Sequence, residues 1–117
     1  MPKAEYEFFN HEAVSWTPVE AGSGAAAEGM VEKILNWDEE AGVSTRMLKF
    51  PPGVETSEVI FHDFWEEVFI LEGELHDKLI STTFTAGMYA CRPPGMPHGP
   101  YISPIGCTTF EVRYYRK

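Results

Sequence analysis

Three residues of this 117-residue chain have the types and spacing to hold a transition metal: His62, Glu66 and His98. Two neutral imidazoles and one carboxylate together suit Fe(II), Mn(II), Zn(II), Co(II) or Ni(II). On one face, these ligands leave coordination positions open, which is the arrangement used by non-haem Fe(II) oxygenases. The residues therefore predict a divalent metal ion as cofactor, with Fe(II) favoured over Zn, Mn, Ni and Co.

His98 stands at the exit of a stiff turn. Pro93 and Pro94 fix φ and remove two backbone donors, so the strand before them has to end there. Gly95 lets the backbone turn back without a Cβ clash, and Pro97 favours an extended backbone just before it. A side chain that leaves so rigid a corner has a preset direction, as a metal ligand requires.

Glu66 leads into a β-like run. Residues 68–71 are fully apolar and too few for a helix between turn signals, which predicts a buried strand. Glu72-Gly73-Glu74 predicts a turn, and residues 75–79 predict a further short strand. The segment therefore carries His62 and Glu66 just ahead of a strand.

Composition limits the class of protein. With 44% apolar and 23% charged residues, the chain can form one domain with one core, and disorder is not expected. The formal charge of −9 argues against nucleic acid and anionic membranes as partners. No apolar run approaches the ~20 residues that span a bilayer, and the first residues lack a signal-peptide core. Two cysteines without a disulfide pattern favour a reduced cytoplasmic setting.

Short β-like segments separated by Gly and Pro turns predict a sandwich or barrel, and we expect a double-sheet jelly roll. No segment has a helical apolar period of useful length. Residues 1–29 are expected to form an N-terminal arm or edge strand, and residues 30–117 the barrel, within one domain overall. Extended segments are expected over residues 30–37, 43–50, 54–61, 68–71, 75–79, 82–85, 88–92, 101–104 and 107–115.

The region from residue 30 to residue 116 resembles a single-domain cupin, closest to the cupin domain of zinc-binding anti-sigma factors. The spacing from Glu66 to Gly73 matches the first cupin motif, and that from Gly87 to His98 matches the second. The phrases that carry the resemblance are Phe50–Gly53, Glu66–Leu75, Arg92–His98 and Gly106–Phe110. The resemblance implies an all-β fold, the cupin-type double-stranded β-helix or jelly-roll barrel, with a metal in its mouth.

By position, the resemblance assigns the metal to His62, Glu66 and His98, whereas Ile60 replaces the first motif histidine. A four-ligand cupin site would then become a three-ligand site. The competing interpretation is a site that binds no metal, in which a buried His62 hydrogen-bonds Glu66. Two residues with suitable side chains could supply a fourth ligand, namely Glu58 and His76.

Residues around these motifs are expected to form a mostly apolar substrate pocket with aromatic character. The expected lining residues are Ile60, Phe64, Arg46, Met88 and Met96. Tyr101 could donate a proton or a hydrogen bond near the metal, which makes it the candidate catalytic residue. Arg46, Arg92 and Arg113 lie on predicted strands, and a solvent-facing side chain is favoured for each. An arginine that points into the barrel mouth instead would bind a substrate carboxylate.

These observations predict metal-dependent chemistry on a small organic molecule. The leading hypothesis is a non-haem Fe(II) dioxygenase that cleaves a carbon–carbon bond of an enolisable or aromatic oxygenated substrate. One alternative is a non-redox isomerase, lyase or polyketide-type cyclase, in which the metal is a Lewis acid. The other is a non-enzymatic sensor module, although no helical sigma-binding domain is expected in front of the barrel. Edge strands and an apolar arm suggest a homodimer.

Overall fold

The computed structural model describes residues 2–20 and 28–115. Regular structure in these residues is nearly all β, with a single helical turn of the 3-10 type over His11–Ala13. No helix in the described ranges is long and apolar enough to cross a membrane. The strands are β1 (Thr17–Pro18), β2 (Val31–Asp38), β3 (Val43–Phe50), β4 (Val54–Glu55), β5 (Trp65–Asp77), β6 (Thr82–Thr85), β7 (Tyr89–Arg92), β8 (Tyr101–Ser103) and β9 (Cys107–Tyr114).

The strands form a curled antiparallel sheet that is built around β5. The order is β1-β2-β3-β9-β5-β8-β4, and β6 and β7 also pair with β5. Because β5 is 13 residues long, its first part pairs with β7 and β9 while its last part pairs with β6 and β8. One strand thus joins the two halves of the barrel, and the predicted all-β jelly roll is confirmed.

Strand β5 is continuous where the sequence predicted two strands and a turn. Its register against β9 shifts between Ile70 and Glu72, and Gly73 has φ +83°. A Cβ on Gly73 would lie 2.0 Å from the carbonyl oxygen of Gly106. The glycine therefore serves a bulge and a close approach of two backbones. A bulge glycine and a turn glycine have the same sequence signature, which explains the error.

The barrel interior combines an apolar core with a polar wall. The buried hydrophobic cluster contains Met30, Leu48, Phe50, Val54, Ile70, Leu75, Tyr101 and Cys107. Strand β9 alternates as its sequence predicted, because Thr109 and Glu111 are 1% and 6% exposed whereas Phe110 between them is 36% exposed. The inward side of β9 therefore presents polar side chains to the same space as the candidate ligands.

The N-terminal arm lies across the outer face of β2 and β3. The Lys3 ammonium donates to the Thr45 hydroxyl at 2.8 Å, and the buried Lys33 donates to the backbone carbonyl of His11 at 3.1 Å. The Lys33 ammonium also lies 4.7 Å from the centre of the Trp16 ring. The arm thus covers half of this face, while its expected boundary with the barrel at residues 29 and 30 stays a prediction.

The other half of the outer face, on β5, β7 and β9, has no such cover among the described residues. Large apolar side chains are exposed there, namely Phe69, Leu71, Tyr89 and Phe110. A patch of this kind is typical of an interaction surface. The expected homodimer stays a prediction, and this face is compatible with it.

Candidate metal centre and its cavity

The structure brings His62, Glu66 and His98 together inside the barrel. One candidate ligand atom from each side chain lies within 4.8 Å of the other two. Glu66 is on β5, His62 lies in the loop before β5, and His98 follows β7. A pair of backbone hydrogen bonds joins the segments that carry the two histidines. The Ile60 N–H donates to the His98 carbonyl at 2.7 Å, and the His98 N–H donates to the Ile60 carbonyl at 3.1 Å.

Both imidazoles are held through their Nδ1 atoms. His62 Nδ1 lies 3.0 Å from the Phe64 carbonyl oxygen, which can only accept, so Nδ1 carries the proton and Nε2 a lone pair. His98 Nδ1 lies 2.9 Å from the Tyr101 hydroxyl. The two Nε2 atoms face each other at 3.0 Å. Histidines that bind metals are fixed in this way, through the nitrogen that does not touch the metal.

The donor set fits a divalent cation. Metal–nitrogen bonds of about 2.1 Å that meet at right angles place their nitrogens roughly 3.0 Å apart, which is the Nε2–Nε2 distance of His62 and His98. His62 Nε2 and Glu66 Oε1 are 3.8 Å apart, which is too far for a hydrogen bond. The hydrogen bond between His62 and Glu66 that the metal-free interpretation suggested is therefore not formed. Imidazole and carboxylate donors suit Fe(II) and its neighbours.

Burial shifts the pKa values of two of the candidate ligands towards their uncharged forms. Desolvation, assisted by the nearby Arg92 and His62, lowers the pKa of His98 to about 3, so its imidazole is neutral at neutral pH. Desolvation also raises the pKa of Glu66, and the neighbouring Glu111 adds to that rise. A cation bound at the site would oppose both effects on Glu66, because it stabilises the carboxylate charge.

Arg92 and Tyr101 link the ligands from behind. Arg92 donates one N–H to Glu66 Oε1 at 3.1 Å and another to the Tyr101 hydroxyl at 2.7 Å. The same hydroxyl contacts His98 Nδ1, and Tyr101 is only 4% exposed. The structure thus places Tyr101 as a residue that positions His98. The predicted role as a proton donor to substrate stays a prediction.

The Tyr101→Phe variant is expected to bind its metal about 10- to 100-fold more weakly, since residues that orient metal ligands contribute on this scale. The hydroxyl that holds His98 Nδ1 would be lost while the buried ring remains. Competition with a chromogenic chelator measures the affinity. Tyr89→Phe is the matched control, because its hydroxyl contacts Glu67 on the outer face. Equal metal affinities for the two variants would contradict the role assigned to Tyr101.

The three ligands face a cavity of about 240 Å³. Pockets for drug-sized ligands measure roughly 300–1,000 Å³, so this one suits a smaller molecule. Its apolar wall includes Met30, Leu48, Phe50, Ile60, Phe64 and Leu75. The site therefore combines a metal-binding end with an apolar wall.

The predicted pocket residues divide into two groups. Ile60, Phe64 and Arg46 line the cavity, whereas Met88 and Met96 do not. The two methionines are 43% and 41% exposed, so their assignment to the pocket is corrected. Both lie in turns that flank β7, and turn residues stay at the surface.

Neither proposed fourth ligand joins the cluster. Glu58 is exposed in the segment between β4 and β5. His76 alternates with the buried Leu75 and Asp77, so it points to the opposite side of β5, where its Nδ1 contacts the Thr83 hydroxyl at 2.9 Å. Among the described residues, the candidate ligand set therefore consists of two histidines and one glutamate.

Arg46, Arg92 and Arg113 all line the cavity, although a solvent-facing side chain was favoured for each from sequence, and Glu111, which sequence reasoning missed, lines it too. Arg46 donates to Glu111 Oε1 and to Glu32 Oε1, each at 2.9 Å. A signal for Glu111 was present, since it has the same parity as Arg113 on a strand with clear alternation. Its partner Arg46 lies 65 residues away in the chain, so the pair depends on strand register.

Residues 5–114 match the family described as the ChrR cupin-like domain. The chain belongs to this cupin family. The match covers most of the protein and confirms the resemblance to cupins that the motifs indicated. No curated protein matches the cupin in sequence.

Solved cupin structures share the fold of this cupin over nearly its whole length. An RmlC-like cupin from Shewanella frigidimarina is 21% identical, with a TM-score of 0.71 over 100% of this chain and 96% of that one. An acetylacetone dioxygenase from Acinetobacter johnsonii is 17% identical, with a TM-score of 0.74 over 95% and 74%. The polyketide cyclase RemF from Streptomyces resistomycificus is 18% identical, with a TM-score of 0.73 over 96% and 81%. These identities establish the fold alone.

Proposed function

We propose that this cupin is a metal-dependent enzyme that oxidatively cleaves a carbon–carbon bond in a small enolisable or aromatic oxygenated molecule, with Fe(II) as its metal. One observation carries the proposal. Two histidine Nε2 atoms lie 3.0 Å apart beside a buried carboxylate, and all three face a small apolar cavity. The similarity in fold to an acetylacetone dioxygenase supports it.

His62, Glu66 and His98 would hold the metal, which when bound polarises a substrate carbonyl towards its enolate. Other residues of the chain position the ligands and form the cavity around them. Arg92 fixes the Glu66 carboxylate, and the apolar walls exclude water. Exclusion of water lowers the local dielectric, so charges that develop on the substrate interact more strongly with the site.

A non-redox reaction of the isomerase, lyase or cyclase type is the second candidate. The Glu111 carboxylate, 6% exposed, lines the cavity and could accept a proton from an enolisable carbon. The similarity in fold to a polyketide cyclase favours the same candidate. This reaction needs no oxygen, which separates it from the first.

Reconstitution with Fe(II) in the absence of oxygen tests the proposal. Oxygen uptake is then measured with a panel of diketones and phenols, and we expect uptake with at least one diketone. The Zn(II)-loaded protein is the control and should consume no oxygen. Product formation without oxygen would favour the non-redox reaction instead. If the protein binds Zn(II) tightly but turns over no panel member, both candidate reactions are contradicted and the sensor interpretation remains.

We also place the enzyme in the cytoplasm as a pair of identical copies. Cys91 and Cys107 are both free thiols, which fits a reducing compartment. The exposed apolar face on β5, β7 and β9 is a suitable surface for pairing.

A further inference from the structure

We propose that Arg113 binds a carboxylate of the substrate, so that the enzyme takes acidic dicarbonyl compounds in preference to neutral ones. The inference rests on the proposed function and adds a substrate class to it. One end of such a molecule would reach the metal ligands, and its carboxylate would reach the guanidinium.

Arg113 differs from the other two arginines of the cavity in having no acidic partner. Arg46 is paired with Glu111 and Glu32. Arg92 is paired with Glu66 and also donates to a tyrosine hydroxyl. Within the described ranges, the Arg113 side chain makes no hydrogen bond or ion pair, and its guanidinium lies 4.0 Å from the centre of the Phe64 ring.

The position of Arg113 on β9 directs it into the cavity. It follows the inward-facing Thr109 and Glu111 at two-residue steps, and it lies opposite Glu66 of β5 in the strand register. Arg113 lines the cavity and is half-buried. A guanidinium that lies over an aromatic ring makes no hydrogen bond to it, so its N–H donors stay available for a carboxylate with two parallel hydrogen bonds.

The charge balance of the cavity favours an anion. Three guanidiniums surround it, and they are balanced by three carboxylates, those of Glu32, Glu66 and Glu111. A divalent cation on the ligands would leave the site two charges positive. The chain as a whole carries a formal charge of −9, so this local excess is opposite in sign to the rest of the molecule. An acidic substrate would therefore be attracted to the cavity specifically.

Phe64 sets the distance between the two ends of the site. Its ring stacks on His62 with ring centres 4.0 Å apart and an angle of 7°, and the Arg113 guanidinium lies 4.0 Å from the same ring centre. The guanidinium is thus no further from the His62 ring than twice that distance. A molecule with only a few carbon atoms between its dicarbonyl group and its carboxylate can span this gap.

Binding of succinylacetone and of its methyl ester tests the inference. Both carry the same diketone, and only the acid carries a carboxylate. Titration calorimetry with Zn(II)-loaded protein measures binding without turnover. We expect the acid to bind about 10- to 100-fold more tightly than the ester, as one charge-assisted bidentate contact allows. Arg113→Gln should remove this preference by lowering the affinity for the acid while leaving the affinity for the ester unchanged. Arg113→Lys should keep part of the preference.

Lys49→Gln is the matched control, because it removes one positive charge from the exposed side of β3 and should keep the preference for the acid. A preference that survives in a folded Arg113→Gln protein would overturn the inference. Equal binding of acid and ester to the wild type would overturn it too, while leaving the proposed function intact. Failure of both probes to bind the loaded wild type would overturn the inference and the proposed function together.

Discussion

Replacing His98 with alanine is expected to abolish stoichiometric metal binding. His98 supplies one of the two facing Nε2 atoms, and its low pKa keeps the imidazole neutral at neutral pH, as a metal ligand must be. The remaining His62 and Glu66 would offer two ligands, too few for the arrangement seen here. Elemental analysis of the purified variant, after loading with Fe(II) or Zn(II) and gel filtration, measures the metal content.

His76→Ala is the control for this experiment, because His76 lies on the other side of β5, where its side chain contacts the Thr83 hydroxyl. Its metal content should equal that of the wild type. His62→Ala provides a second test from the less buried ligand, in case His98→Ala unfolds the protein. Circular dichroism establishes that each variant is folded. If a folded His98→Ala or His62→Ala protein keeps its full metal content, these residues do not form the metal site.

Replacing Gly73 with alanine is expected to destabilise the fold by about 4 kcal/mol or more, among the largest effects of single substitutions. The new Cβ would lie 2.0 Å from the Gly106 carbonyl oxygen and 2.8 Å from Cys107 Cα, both backbone atoms. Strands β5 and β9 would have to separate, and β5 joins both halves of the barrel. Urea unfolding monitored by tryptophan fluorescence measures the loss.

Gly87→Ala separates the steric effect from the backbone effect. Gly87 has φ +91°, close to that of Gly73, but a Cβ there has nothing within 4 Å. Only the left-handed backbone of an L-residue is then unfavourable, by about 1–2 kcal/mol. If both variants lose the same stability, the close approach of β5 to β9 is not the reason for Gly73.

The strands that could be located from sequence are those with local signals. Val43–Phe50 was predicted with the bounds that β3 has, whereas β2 differs from its predicted bounds by one residue at each end and β9 by one residue at its C-terminal end. In each case a Gly or Pro turn marks an end, and alternation marks the faces. The long strand β5 was divided in the prediction, because its bulge depends on a partner that lies far away in the chain.

The same distinction applies to the site. The spacing of two motifs was enough to select His62, Glu66 and His98, which the structure brings together. Tyr101 was named from sequence as a hydrogen-bond donor near the metal. The contacts of Arg92 with Glu66 and Tyr101 could not be predicted, because they depend on cross-strand register. Met88 and Met96 were assigned to the pocket only because they are close to the ligand motifs in sequence. In a turn, closeness in sequence does not determine where a side chain points.

The paired backbone hydrogen bonds between Ile60 and His98 hold the ligand-bearing segments in register by main chain alone. We therefore expect metal loading to require no coupled refolding, unlike in a zinc finger. Affinity among first-row ions then follows the Irving–Williams series. We therefore expect the ion that occupies the protein to depend on metal supply at the time of loading, and protein prepared from different growth media to differ in its metal content.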